Sequence, residues 1–239
     1  MFSLFRKRYS VLASEILKGK TDVHAHILPG VDDGARDTQQ SLELLQFLEQ
    51  MGYRTLWLTP HVMEDVRNTT ESLRKSFESL VSAYHGGCQL HLAAEYMLDA
   101  GFDDKLDADP LLLGKEHLLV ETSYFSPPVN LDGMLKSAWE KGYRPLIAHP
   151  ERYEYMGEED YKNLKRKGYE FQLNIMSLSG YYGRRPKAVA EQLMEWGMYD
   201  YVGTDIHHLD VYQDMFEKLS LGKEQLMTLE HLLTRNESI

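Results

Sequence analysis

TDVHAHILPGVDDGARD, residues 21–37, places two histidines one residue apart on what reads as a β-strand, then two adjacent aspartates and a glycine. Side chains alternate along a strand, so His24 and His26 share a face and reach the same space. Asp32 and Asp33 follow at the strand's end. The question is whether the rest of the chain supplies partners for them.

Working outward, β-rich apolar runs alternate with longer helix-patterned segments. Seven candidate strands are DVHAHI, YRTLWLTPH, LHLAAEYM, HLLVETS, YRPLIAHP, YEFQLNIMS and YDYVGTDIH. Between them lie segments such as SLELLQFLEQM, with Leu42, Leu45, Leu48 and Met51 on one face. Gly52, Gly142, Gly168 and Gly197 each sit just before a strand, where a left-handed residue closes the preceding helix. Gly-Tyr-Arg occurs at 52–54 and again at 142–144, each time opening a strand. Strands alternating with helices predict a parallel sheet, and seven such units in one chain predict a closed barrel. The stretch DADPLLLG, 107–114, reads as a loop with a short helix. No linker-like segment divides the chain, which is read as one barrel domain over residues 21–239.

Residues 1–20 stand apart. They carry Arg6, Lys7, Arg8, Lys18 and Lys20 against Glu15 alone, and Phe2, Phe5, Tyr9, Leu12 and Ile16 fit a helical stripe. The segment lacks the apolar core and cleavage site of a signal peptide. A basic amphipathic helix is expected, packed on the domain or facing a membrane surface or partner.

Composition excludes several classes. A net charge of −11 argues against a nucleic-acid binder and suits a protein that holds divalent cations. The single cysteine, Cys88, permits no internal disulfide and points to a reducing, cytoplasmic compartment. No apolar run approaches the length of a membrane span, about 20 residues.

Aligned at their C-terminal ends, the strands deliver ligand-type side chains almost without exception. The first gives His24 and His26, then Asp32 and Asp33. The second gives His61, the third Glu95, the fourth Glu121 and the fifth His149. The sixth ends near Asn174. The seventh gives Asp205 and His207. In α/β barrels the loops after the strands converge on one rim, where the chemistry sits. Imidazole and carboxylate without thiolate suit zinc, manganese or iron. A catalytic zinc takes about three protein ligands, so this set implies two or three clustered ions. Clustered ions suit phosphoryl transfer: one lowers the pKa of a water while others hold phosphate oxygens. A lone histidine or acid at a strand end is usually structural; the coincidence across successive strands carries the argument. Between Asp32 and Asp33 the choice stays open. His208, pointing opposite to His207, and Glu151 are expected outside the ligand set. Arg152, three residues after His149, is a fork suited to phosphate oxygens, with a surface ion pair to Glu151 or Glu154 as the plain alternative.

TDVHAHILPGVDDG, TPH at 59–61, Glu95, Glu121, AHPERY at 148–153 and GTDIH at 203–207 together resemble the polymerase and histidinol phosphatase (PHP) superfamily. They most closely resemble its bacterial capsular-polysaccharide branch, the metal-dependent protein-tyrosine phosphatases of the CpsB/YwqE type. The resemblance runs from about residue 21 to residue 210. It implies a distorted (β/α)7 barrel with a trinuclear site, commonly loaded with Mn2+. It further implies that His24, His26, Glu95 and Asp205 hold one ion, that Glu95, Glu121 and His149 hold a second, and that His61, His207 and either Asp32 or Asp33 hold a third. Arg152 would bind phosphate, and His207 or a bound water would serve as a weak acid. The implied substrate is phosphotyrosine in a protein, a tyrosine autokinase that controls capsule or exopolysaccharide export. Relatives often carry a second arginine after the DxH motif; here the chain runs His207-His208-Leu209-Asp210-Val211-Tyr212. Two rivals are a small-molecule phosphatase of the histidinol-phosphate kind and a catalytically silent metal-binding barrel.

Overall fold

The computed structural model describes residues 7–239. All seven expected strands form. The first is Thr21–Ala25. The second is Thr55–Leu58, resuming after Thr59-Pro60 as His61–Val62. The third is Gln89–Leu92, resuming as Glu95–Met97. The remaining four are His117–Glu121, Arg144–Ala148, Glu170–Asn174 and Tyr201–Gly203.

Each neighbouring pair in chain order is parallel. Pro60 has no N–H, but its carbonyl stays in the ladder, accepting from Glu95 N at 3.1 Å. The seventh strand returns to the first: Asp205 N donates to His24 O at 2.7 Å and His26 N to Ile206 O at 2.9 Å. The ring therefore closes, and the fold is a distorted (β/α)7 barrel.

Helices follow each strand, at Thr38–Met51, Thr70–Ala83, Phe102–Asp107, Leu131–Glu140, Glu158–Arg166 and Arg184–Glu195, with Asp210–Glu217 and Lys223–Asn236 after the last. Local chemistry fixes their ends. Asp37 caps the first by accepting from Gln40 N at 2.9 Å, and Gly52 closes it at φ 106°. Gly142, Gly168 and Gly197 also have positive φ, as the pattern predicts. The short helix expected within 107–114 lies just before it, at Phe102–Asp107.

Most core residues lie between the strands and the helices. A smaller cluster holds Val23, Ala93, Leu119, Leu146, Ala148 and Tyr201. Leu119 shares a strand face with Glu121, so this cluster fills the barrel interior beneath the ligand-bearing rim.

The N-terminal helix expectation needs correction. Over residues 7–20 the chain forms a two-residue strand, Tyr9–Ser10, paired antiparallel with Ser220–Leu221, then a 3-10 turn at Leu12–Ser14. Left-handed residues at Glu15 (φ 57°) and Gly19 (φ 74°) break any helix. Val11 and Leu17 are buried in the core instead. A short helix is marginal by itself, and tertiary burial wins. Residues 1–6 of that expectation lie outside the described residues. Among the described residues no helix is long and apolar enough to cross a membrane.

Candidate metal centre

Nine of the ten candidate ligands named from the sequence, all but Asp32, meet at the C-terminal rim. Four groups bring their donor atoms within 4.8 Å of one another: His24, His26 and Glu95; His24, His149 and Asp205; His61, Glu95 and Glu121; and His26, Asp33, His61 and His207. The shared members make one continuous cluster. His24 Nε2 and His26 Nε2 are 3.0 Å apart, so the alternation argument for the first strand holds. His149 Nε2 stands 3.0 Å from Glu95 Oε1. His149 (φ 34°) and Asp205 (φ 51°) both take left-handed backbone conformations, which cost about 1–3 kcal/mol each in non-glycine residues. Such strain persists where the surroundings demand a particular side-chain direction.

The donor set fits divalent ions, and its loose ends argue the point. Both oxygens of Glu95, Glu121 Oε1, His61 Nδ1 and His149 Nδ1 are buried and make no hydrogen bond. His61 Nδ1 is 2.9 Å from Glu121 Oε1 and 3.1 Å from Glu95 Oε2, close enough in distance but misaligned for hydrogen bonding. Buried polar atoms in folded proteins are almost always paired. Atoms that crowd together without pairing are suited to share a cation.

Electrostatics agree. Burial pushes the Glu95 carboxyl up, yet His24 and His149 hold it well below the usual carboxylate range. Burial lowers His61, but Asp33, Glu121 and Glu95 raise it far above the ordinary imidazole range.

The structure separates the two aspartates. The Asp32 side chain is buried and accepts from His26 Nδ1, Gly34 N and His61 N, each at 3.0 Å. It orients His26 from behind, leaving Nε2 for the cluster. The side chain of Asp33 is 73% exposed, and its Oδ1 lies 3.4 Å from both His61 Nε2 and His207 Nε2. Asp33 is the carboxylate that faces the cluster. His208 and Glu151 fall outside it. Glu151 is buried, accepting from Asn174 N at 3.0 Å and from the Ser177 and Tyr199 hydroxyls at 2.8 Å.

Beside the cluster opens a cavity of about 330 Å³, lined in part by Asp33, His61, Tyr124, His149, Arg152 and Tyr182. Arg152 Nη1 donates to Asp205 Oδ2 at 2.6 Å, so the surface ion pair to Glu151 or Glu154 gives way to a pairing inside the site. Sequence reasoning missed Gln172, whose Oε1 is 3.0 Å from His24 Nδ1. It left the job of Asn174 unread: its Nδ2 donates to Asp205 Oδ2 at 2.8 Å. The signal was there, two amides two residues apart on one strand face, but amides do not look like ligands. The cavity tyrosines gave no signal, since aromatic residues usually belong to the core.

The model of the family described as "Capsular polysaccharide synthesis, CpsB/CapC" matches residues 20–219. Tyrosine-protein phosphatase YwqE of Bacillus subtilis is 28% identical over 228 residues, covering 91% of this chain and 90% of its own. Tyrosine-protein phosphatase CpsB of Streptococcus pneumoniae is 27% identical over 208 residues, covering 79% and 83%. A chain from the solved structures of YwqE from Bacillus subtilis and CpsB from Streptococcus pneumoniae, described as unique metal-dependent tyrosine phosphatases, superposes with a TM-score of 0.74 at 27% identity, covering 90% of this chain and 94% of that one. The phosphotriesterase homology protein of Escherichia coli shares the fold alone, at a TM-score of 0.51 and 10% identity. With its family model matched across the whole ring of strands, this chain belongs to the CpsB/CapC family of capsular polysaccharide synthesis.

Proposed function

We propose that the protein is a metal-dependent phosphatase that hydrolyses phosphotyrosine in proteins. The observation that carries the reading is the crowd of buried, unpaired donors beside Arg152 and an open cavity. The two relatives named as tyrosine-protein phosphatases support it. The ligands are assigned as His24, His26, Glu95 and Asp205 for one ion, Glu95, Glu121 and His149 for a second, and Asp33, His61 and His207 for a third. Mn2+ is the ion proposed, with Zn2+ or Fe as substitutes. The catalytic unit is the barrel of residues 21–239, acting in the cytoplasm on a tyrosine autokinase of capsule or exopolysaccharide synthesis.

Divalent ions held there would supply Lewis acidity, lowering the pKa of a water and neutralising phosphate charge. The chain's own residues do the rest. Arg152 offers its remaining N–H groups to the phosphate oxygens from the cavity wall. Asn174 and Arg152 hold Asp205 Oδ2, which leaves Oδ1 turned to His24 and His26, 3.3 Å from each Nε2. His207 Nδ1 lies 2.9 Å from the Asp205 carbonyl, so the ring donates there and presents Nε2 to Asp33 and the cluster. A phenol of pKa near 10 departs with little protonation, so His207 needs to contribute only weakly as an acid.

The test compares kcat/KM for a phosphotyrosine peptide, a phosphoserine peptide and histidinol phosphate under one metal condition. The phosphotyrosine peptide is expected to lead by at least about tenfold, or about 1.4 kcal/mol in barrier. A lead for histidinol phosphate would move the protein to a small-molecule role. No turnover on any aryl phosphate, with metal bound, would make it a silent barrel.

A further inference from the structure

The guanidinium of Arg152 lies over two tyrosine rings, with its central carbon 4.4 Å from the Tyr124 centroid and 4.1 Å from that of Tyr182. The rings come from different loops, after the fourth and the sixth strand. Both are held in place. Glu154 N donates to Tyr124 O at 2.7 Å, and the Tyr124 ring stacks on Tyr153 with centroids 6.3 Å apart. The Tyr182 hydroxyl accepts from Asn174 Nδ2 at 3.0 Å and sits 3.4 Å from Asp205 Oδ2. A guanidinium is apolar on its faces and donates only at its edges. With two aromatic rings against it and one edge on Asp205, the guanidinium is hemmed in, and its remaining edge is left to the cavity it lines.

From this arrangement we infer that Tyr124 and Tyr182 are positioning residues for phosphate recognition: they hold Arg152 in one plane so that its free edge meets the phosphate without reorganisation. The inference rests on the phosphatase reading for its substrate. It names a job for two residues that would otherwise pass for core. Preorganised donors are worth more than mobile ones because no ordering is required when the ligand arrives. It also shows how one arginine can hold a phosphate in a chain that carries His208 and Leu209 after its DxH motif.

The test is a mutant cycle on the full chain with metal content measured throughout. Tyr124→Leu and Tyr182→Leu are each expected to lower kcat/KM for an aryl phosphate by about three- to thirtyfold, the span that a cation–π contact of ordinary strength gives. Tyr124→Phe and Tyr182→Phe should recover most of that loss, because the ring does the holding. In an Arg152→Ala background the leucine substitutions should cost less than about twofold, the signature of residues that act through one arginine. Equal losses in both backgrounds, or phenylalanine as harmful as leucine, overturn the inference. Calorimetric binding of inorganic phosphate supplies a second readout: affinity should fall in the leucine variants only while Arg152 is present. If wild-type protein hydrolyses no aryl phosphate, the phosphatase reading fails, and the phosphate titration still decides the bracket.

Discussion

At the floor of the barrel His117 Nε2 lies 3.0 Å from Glu170 Oε2; at the mouth His61 Nδ1 lies 2.9 Å from Glu121 Oε1. The two contacts look alike and belong to different kinds of environment. Around Glu170 every acid has a cation in reach: Arg235 stands 3.9 Å from Glu170 and 3.5 Å from Asp200, and Lys165 also pairs with Asp200. Glu170 Oε2 itself makes no hydrogen bond, but those cations offset its charge; around Glu121 the acids outnumber the fixed cations, Arg152 serves Asp205, and five donor atoms of the cluster have no hydrogen bond. Balanced charge at one end marks structure. Unbalanced, buried and strained donors at the other are the pattern of a functional site.

The contrast breaks most visibly if the mouth is emptied of ligands. Asp205→Ala or His24→Ala should lose bound metal and lower turnover by more than about a thousandfold, while circular dichroism still reports a folded barrel. A chelator should abolish activity and Mn2+ restore it. Full turnover in metal-free protein would show that the mouth is as structural as the floor.

Arg152→Ala comes next, with kcat/KM falling about ten- to a thousandfold and metal content unchanged. Untouched turnover would return Arg152 to a structural pairing with Asp205.

The adjacent aspartates sharpen the distinction within the mouth itself. Asp32→Ala strands His26 Nδ1 and two backbone N–H groups, and should cost about 2–4 kcal/mol of stability in chemical denaturation. Asp33→Ala should leave stability within about 0.5 kcal/mol and reduce metal stoichiometry instead. The opposite outcome would exchange their roles.

The smallest effect belongs to the floor. Burial pushes the Glu170 carboxyl up, but His117, Arg144 and Arg235 hold it below its ordinary value. Its contribution to stability is therefore present above the usual carboxylate range and lost as pH falls through the depressed pKa. Glu170→Gln should cost about 0.5–1 kcal/mol near pH 7 and flatten the acid limb of the stability profile, with no change in metal content. A change in metal content would mean that the floor and mouth are coupled.

These expectations trace how far the residues could be read before the fold was known. The seven strands and the ligand-type side chains at their ends were legible because period-two alternation and strand-end placement are local. Asp32 and Asp33 were not separable, since the loop's path decides which of two neighbours turns inward. The helix expected from the stripe of residues 1–20 does not form over 7–20: Val11 and Leu17, outside that stripe, are the residues buried, and the strand pairing of Tyr9–Ser10 with Ser220–Leu221 is a long-range event. Tyr124 and Tyr182 were invisible for the opposite reason: an aromatic ring looks the same on paper whether it fills a core or flanks an arginine.

The seam where the seventh strand meets the first carries a consequence for time as well as space. The hydrogen bonds Asp205 N to His24 O and His26 N to Ile206 O join residues at opposite ends of the barrel sequence. The same residues, His24, His26 and Asp205, belong to the candidate ligand cluster. During synthesis the first pair of histidines emerges long before Asp205 does, so no partly made chain can hold the complete cluster. If these residues hold an ion as proposed, metal affinity and ring closure would be linked equilibria: an ion bound at the seam would favour the closed ring, and opening the seam would release it. A cell that loads its metal only into finished barrels would need no separate inspection step.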